Sequence, residues 1–154
     1  MKFRLLLLVL AIAALVVLSS APALANDYGC TPGYWKNHTD SWVVYTPDQR
    51  VIDVLDLPSL TLFDGSSLPA STTLLQALQG GGGSGFQGAA KIYLRAAVAK
   101  LLNITAGFHP GEPDGATFKT YMVSGITSFT RTKLISDASL FDSDNNAPMG
   151  CPLN

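Results

Sequence analysis

Ala89-Ala90-Lys91-Ile92-Tyr93-Leu94-Arg95-Ala96-Ala97-Val98-Ala99-Lys100-Leu101-Leu102-Asn103 is the stretch on which the fold turns. Ala, Leu, Arg and Lys are strong helix formers. Ile92, Leu94, Val98, Leu101 and Leu102 spread a wide apolar face, while Lys91 and Arg95 stand four apart on the polar side. A helix this apolar belongs at the centre of a core, and Gly107 and Pro110 mark its end. Downstream, His109 to Gly115 reads as a loop, with His109 exposed. Phe118, Met122, Ile126 and Phe129 then recur at helical spacing, although Gly125 weakens that helix. A last helix is expected from about Arg131 to Phe141, with Leu134, Ile135, Ala138 and Phe141 inward and a polar tail from Asp142. Upstream, Ser71 is the expected cap of a short helix to about Gln79, and Gly80 to Gly83 ends it.

The first third reads differently. Thr31 can cap, and Pro32 can start, a short helix through Tyr34-Trp35-Lys36-Asn37-His38. Trp42 to Asp56 is β-branched and broken by Pro47, which suits a short strand or an irregular extended piece. Leu60, Leu62 and Phe63, between Pro58 and Pro69, suggest a small hairpin arm. The expected architecture is mainly α: a single compact helical domain with a looped first third that has room for short strands, closed by one disulfide.

Residues 1–25 carry the marks of a secretory signal peptide: Lys2 and Arg4, an apolar run from Leu5 to Leu18, then Ala23-Leu24-Ala25. Residues 26–154 are then a single secreted domain, extracellular or periplasmic. Ten basic side chains, less Lys2 and Arg4, stand against 11 acidic ones, so the mature charge is −3. That balance excludes a basic nucleic-acid binder. No later run is long and apolar enough for a membrane span once the signal is removed. Cys30 and Cys151 are the only two cysteines, and an oxidising compartment favours their pairing. Closing a loop of roughly 120 residues removes about 5 kcal/mol of unfolded-chain entropy in the simple loop model.

The short motifs dissolve when weighed. Gly83-Ser84-Gly85-Phe86-Gln87-Gly88 fits G-x-G-x-x-G, but a helix rather than a strand precedes it, and Ala89-Ala90 stands where a phosphate loop needs Lys and Ser or Thr. It reads as a connector. Asp142-x-Asp144-x-Asn146 opens like a calcium loop but has Ala147 for the required Gly and Leu153 for the closing Glu. An Asx-rich turn ending the last helix fits better. His38 and His109 are the only histidines, too few for a zinc set without carboxylates. There is no Cys-x-x-Cys and no Gly-x-Ser-x-Gly elbow. Asp53, Asp56 and Asp64 show no spacing that demands paired-carboxylate chemistry. No catalytic, cofactor-binding or metal-ligating residue is assigned, and no cofactor is called for. Asn37-His38-Thr39 and Asn103-Ile104-Thr105 are N-glycosylation sequons.

Tyr34, Trp35, Trp42 and Tyr45 cluster within twelve residues. Stacked aromatics can bind sugars or extended polymers, which makes Tyr34, Trp35, His38 and Trp42 the candidate binding surface. Burial is the competing use of such rings. A helix this short cannot persist alone, so Trp35 is expected to anchor it by packing.

Cys30-Thr31-Pro32-Gly33-Tyr34-Trp35-Lys36-Asn37-His38 resembles the opening of a group of secreted bacterial proteins of unknown function. They share Cys-Thr-Pro-Gly-Tyr/Phe-Trp-Lys-Asn-His, an Ala- and Leu-rich helix ending in Leu-Asn, and an Asn-Asn and Gly-Cys-Pro ending. Here these are Leu94–Asn103, Asn145-Asn146 and Gly150-Cys151-Pro152. The resemblance implies export and a disulfide, not an activity. The expected function is a secreted non-enzymatic binding or structural domain, its partner a surface polymer or a protein. One alternative is a secreted hydrolase of wall or matrix polymers using Asp53 or Asp56 with His38. Another is a self-assembling extracellular subunit.

Overall fold

A computed structural model describes residues 28–109 and 113–153. The signal peptide expected at residues 1–25 lies outside them. Among the described residues six α-helices, one 3-10 turn and one hairpin follow in order: α1 (Pro32–Asn37), the turn Thr39–Ser41, α2 (Val51–Val54), β1 (Leu60–Thr61), β2 (Ser67–Leu68), α3 (Leu74–Gln79), α4 (Gly85–Thr105), α5 (Gly115–Ser128) and α6 (Arg131–Asn145). The domain is mainly helical, and Cys30 is bonded to Cys151.

Helix α4 is the axis. Of the fifteen positions from Ala89 to Asn103, all but Lys91, Ile92 and Arg95 are buried, so the helix is covered nearly all round. Its alanines have little side chain to hold neighbours off, and α3, α5 and α6 all pack on it. It starts four residues before the expected Ala89, because the glycine-rich connector feeds straight into its first turn. Gly88 faces Gly83 so closely that a Cβ there would overlap the Gly83 carbonyl. The G-x-G-x-x-G pattern is thus a tight backbone approach at a helix start.

Helix α5 takes Asp114 as its cap, the carboxylate accepting from Thr117 N at 2.7 Å. Phe118, Met122 and Ile126 form its buried stripe, and Phe129 follows as the C-cap residue. Gly125 does not break the helix. It is the site where the Tyr93 ring crosses from α4, and any Cβ would collide with that ring. Helix α6 is capped by Thr130 and buries Leu134, Ala138 and Phe141, as the spacing predicts. It runs one turn past Phe141, to Asn145, because Asp144 and Asn145 find partners on α4.

The first third holds the other differences. Neither extended alternative describes Val51–Val54, which is one helical turn. Burial of Val51, Val54 and Leu55 at three- and four-residue spacing outweighs β-branched propensity. Thr73, not Ser71, caps α3, through a reciprocal capping box with Gln76. The hairpin arm forms as expected, with Leu60 opposite Leu68 and Thr61 opposite Ser67. His109 is half-buried rather than exposed.

Candidate functional site

The opening motif is used from end to end as a clasp. Thr31 Oγ1 accepts from Tyr34 N at 3.0 Å, and Pro32 occupies the first helical position. This turn drives Trp35 inward until it is 1% exposed. Its indole N–H donates to Asn103 Oδ1 at 3.0 Å. The same oxygen accepts from Cys30 N at 2.9 Å, and Asn103 Nδ2 donates to Cys30 O at 3.0 Å and to Asn145 Oδ1 at 2.8 Å. An asparagine amide has two acceptor and two donor positions, and all four are used. Asn145 Nδ2 completes the chain by donating to Ala96 O at 3.0 Å. The segments flanking Cys30 and Cys151 are further tied by Gly29 N to Gly150 O at 3.1 Å and Tyr34 Oη to Leu153 O at 3.2 Å.

The other members of the aromatic group lean on this knot. His38 stacks on Tyr34 with ring centroids 4.1 Å apart, and its Nδ1 donates to Tyr34 O at 3.0 Å. Trp42 Nε1 donates to Trp35 O at 3.0 Å. Tyr34 and Trp35 are buried, Trp42 is half-buried and His38 is exposed. Of the candidate surface Tyr34, Trp35, His38 and Trp42, only its outer members face solvent. Trp35 is the packing anchor that the short helix requires.

The remaining residues singled out in the sequence scatter. Asp53 holds Arg50 through both oxygens, at 2.6 and 2.7 Å, and Asp56 is exposed. Asp64 accepts from Ser66. Asp142, Asp144 and Asn146 lie at the end of α6. Burial pushes the Asp142 carboxyl up, opposed by Arg95, while Asp144 pairs with Lys100 and Asn146 Nδ2 bonds the Asp142 carbonyl. Among the described residues no three His, Cys, Asp or Glu side chains converge on a metal site. Asn103 is fully buried with its amide occupied, so its sequon is closed in the folded domain; Asn37 is exposed.

Two features escaped sequence reading. One is the Asn103–Asn145 node; a polar residue closing the most apolar helix was the available signal. The other is Lys100, embedded in Val98-Ala99-Lys100-Leu101-Leu102 and only 4% exposed. Its ammonium meets Asp144 Oδ2 at 2.5 Å and lies 5.6 Å from the Phe141 ring centre. This pair lies in a cleft of about 410 Å³ between α5 and α6, with Phe118, Tyr121, Leu140 and Phe141 as its apolar lining. Close by, Asp137 accepts from Tyr121 Oη and is bonded by Lys133 Nζ at 2.9 Å. Lys133 also lies 4.4 Å from the Phe129 ring centre. Burial, then the Asp137 hydrogen bond, pushes the Tyr121 hydroxyl above its usual range.

Among the described residues no helix is long and apolar enough to cross a membrane. Comparison with protein-family models, with curated proteins and with solved structures finds no match.

Proposed function

We propose that this chain is a secreted, non-enzymatic binding or structural domain, with binding to a surface polymer as its leading role. The observation that carries this is the use of the opening motif. Its distinctive side chains, Thr31, Tyr34, Trp35 and His38, are directed to the domain's own backbone and to Asn103. They build a closed scaffold and leave recognition to surfaces elsewhere. Export is supported by the leader-like residues 1–25 together with a disulfide, which persists in oxidising compartments. The experiment is co-sedimentation with insoluble wall and matrix polymers, with soluble products assayed in the same tubes. Sedimentation without release of sugar, peptide or ester products is expected. Catalytic release that depends on His38 and on Asp53 or Asp56 would replace this reading with the hydrolase.

Self-assembly is favoured by one feature. Val43 and Val44 are 75% and 58% exposed beside Trp42, and Phe63 is 58% exposed on the hairpin. Light scattering across a concentration series tests it; growth of particles with concentration supports assembly, and a constant monomer mass removes it.

A further inference from the structure

We propose that the cleft between α5 and α6 is a binding site for one neutral sugar ring of a glycan; this rests on the binding reading above. The volume, about 410 Å³, lies within the range of small-ligand sites. Phe118 and Tyr121 lie nearly parallel, 16° between planes with centroids 6.4 Å apart; Phe118 is buried at 4% exposure, so Tyr121 supplies the aromatic surface. Tyr121 is 37% exposed, so part of its ring is open to solvent. Leu140 extends the apolar rim. The polar component is Lys100 with Asp144, whose side chains are 5% and 30% exposed.

The ligand class follows from what each candidate would do to that pair. A purely apolar molecule would strip water from Asp144 and return no hydrogen bond, which carries a desolvation cost. An anion would meet the Asp144 carboxylate, and a cation would meet the Lys100 ammonium. A neutral polyol avoids both repulsions and can replace the displaced water. A pyranose adds an apolar C–H face for the Tyr121 ring and the Leu140 rim, and a hydroxyl edge for Asp144. Sugar binding therefore uses both halves of the cleft at once, whereas the other classes use one and offend the other.

The test is a titration by amide chemical shifts. The protein expressed from residues 1–154 and purified with its disulfide formed is titrated with cellobiose, maltose and N,N′-diacetylchitobiose. Digalacturonate and benzoate serve as anionic and apolar controls. At least one neutral disaccharide is expected to bind with Kd on the order of 1 mM and to shift Thr117, Tyr121, Leu140 and Asp144. Tyr121→Ala should weaken binding tenfold or more, and Tyr121→Phe, which keeps the ring, should bind within about threefold of wild type. Leu140→Trp, which fills the mouth from an exposed position, provides a blocked site should Tyr121→Ala fold poorly. No saturable shift with any neutral disaccharide, shifts confined to other faces, or preference for digalacturonate or benzoate would overturn the proposal. Polymer co-sedimentation undiminished in Leu140→Trp would remove the cleft while leaving the binding reading in place. Loss of both polymer and sugar binding in the wild type would remove both.

Discussion

Two side-chain pairs join α4 to α6, one helical turn apart on α4 and adjacent on α6, and they have opposite characters. Asn103 with Asn145 is neutral and closed, with every polar position of Asn103 engaged. Lys100 with Asp144 is charged and lies in an open cleft. The same two helices thus carry a node suited to holding the fold and a pair suited to meeting a ligand. A satisfied buried amide network rigidifies the structure around it. A charged pair reaching solvent contributes much less to stability, since desolvation offsets its attraction. The difference indicates which residues serve the fold and which remain for function.

Replacing Asn103 by Leu should have the largest effect. The change keeps approximate volume but orphans Cys30 N–H, Cys30 C=O, the Trp35 indole and Asn145. At about 1–3 kcal/mol for each of these four buried groups left unpaired, a loss of about 4–12 kcal/mol is expected. That approaches the whole stability of a small domain, about 5–15 kcal/mol. Urea unfolding with the disulfide intact measures it. A loss below about 1 kcal/mol would show that water or rearrangement satisfies the node, and the contrast between the two pairs would collapse.

Trp35→Ala comes next, at about 3–5 kcal/mol for a buried ring. In a Trp42→Phe background the remaining Trp35 emission should be blue-shifted and resistant to quenching, as burial at 1% exposure requires. An unchanged melting midpoint with red-shifted emission would return Trp35 to the candidate binding surface. Lys100→Met should cost less, about 1–3 kcal/mol, because Asp144 is 30% exposed and keeps contact with water when its partner is removed. A loss matching that of Asn103→Leu would make the charged pair structural and erase the division of roles.

The helices were legible because their signals are local. Ala89–Asn103 has both propensity and periodicity, and Phe118, Met122 and Ile126 show a single buried stripe. Gly125 misled for a long-range reason: its lack of a side chain answers Tyr93, on another helix. Val51–Val54 misled because β-branched residues turn helical when burial at three- and four-residue spacing demands it. The disulfide was legible from two cysteines behind an opening that reads as an export signal. What completes the clasp was not, since Cys30 and Asn103 are 73 positions apart and hydrogen-bond partners carry no periodicity. Lys100 was hidden in the same way, as a charge placed in an apolar run for the sake of a residue 44 positions on.

Tyr93→Phe should have the smallest effect at neutral pH. The Tyr93 hydroxyl is buried against Gly125 with no hydrogen-bond partner among the described residues. Removing it should leave stability unchanged or raise it by up to about 1 kcal/mol, since an unpaired buried group is lost with little change of shape. The alkaline limb separates this from a silent substitution. Burial, then the neighbouring Tyr121 and Asp137, pushes the Tyr93 hydroxyl well above its ordinary value of 10.0. An unfolded tyrosine ionises near pH 10. Between that value and the raised folded one, the native state holds a proton that the unfolded state releases. The contribution is fully present below about pH 10 and falls as pH rises, by about 1.4 kcal/mol per unit for one proton. Tyr93→Phe should therefore unfold less steeply above pH 10, with Tyr121 supplying part of the residual slope. Urea midpoints for both proteins from pH 8 to 11 measure the difference. Parallel curves would mean that Tyr93 ionises as freely in the folded domain as in the unfolded chain, and hence that water reaches its hydroxyl.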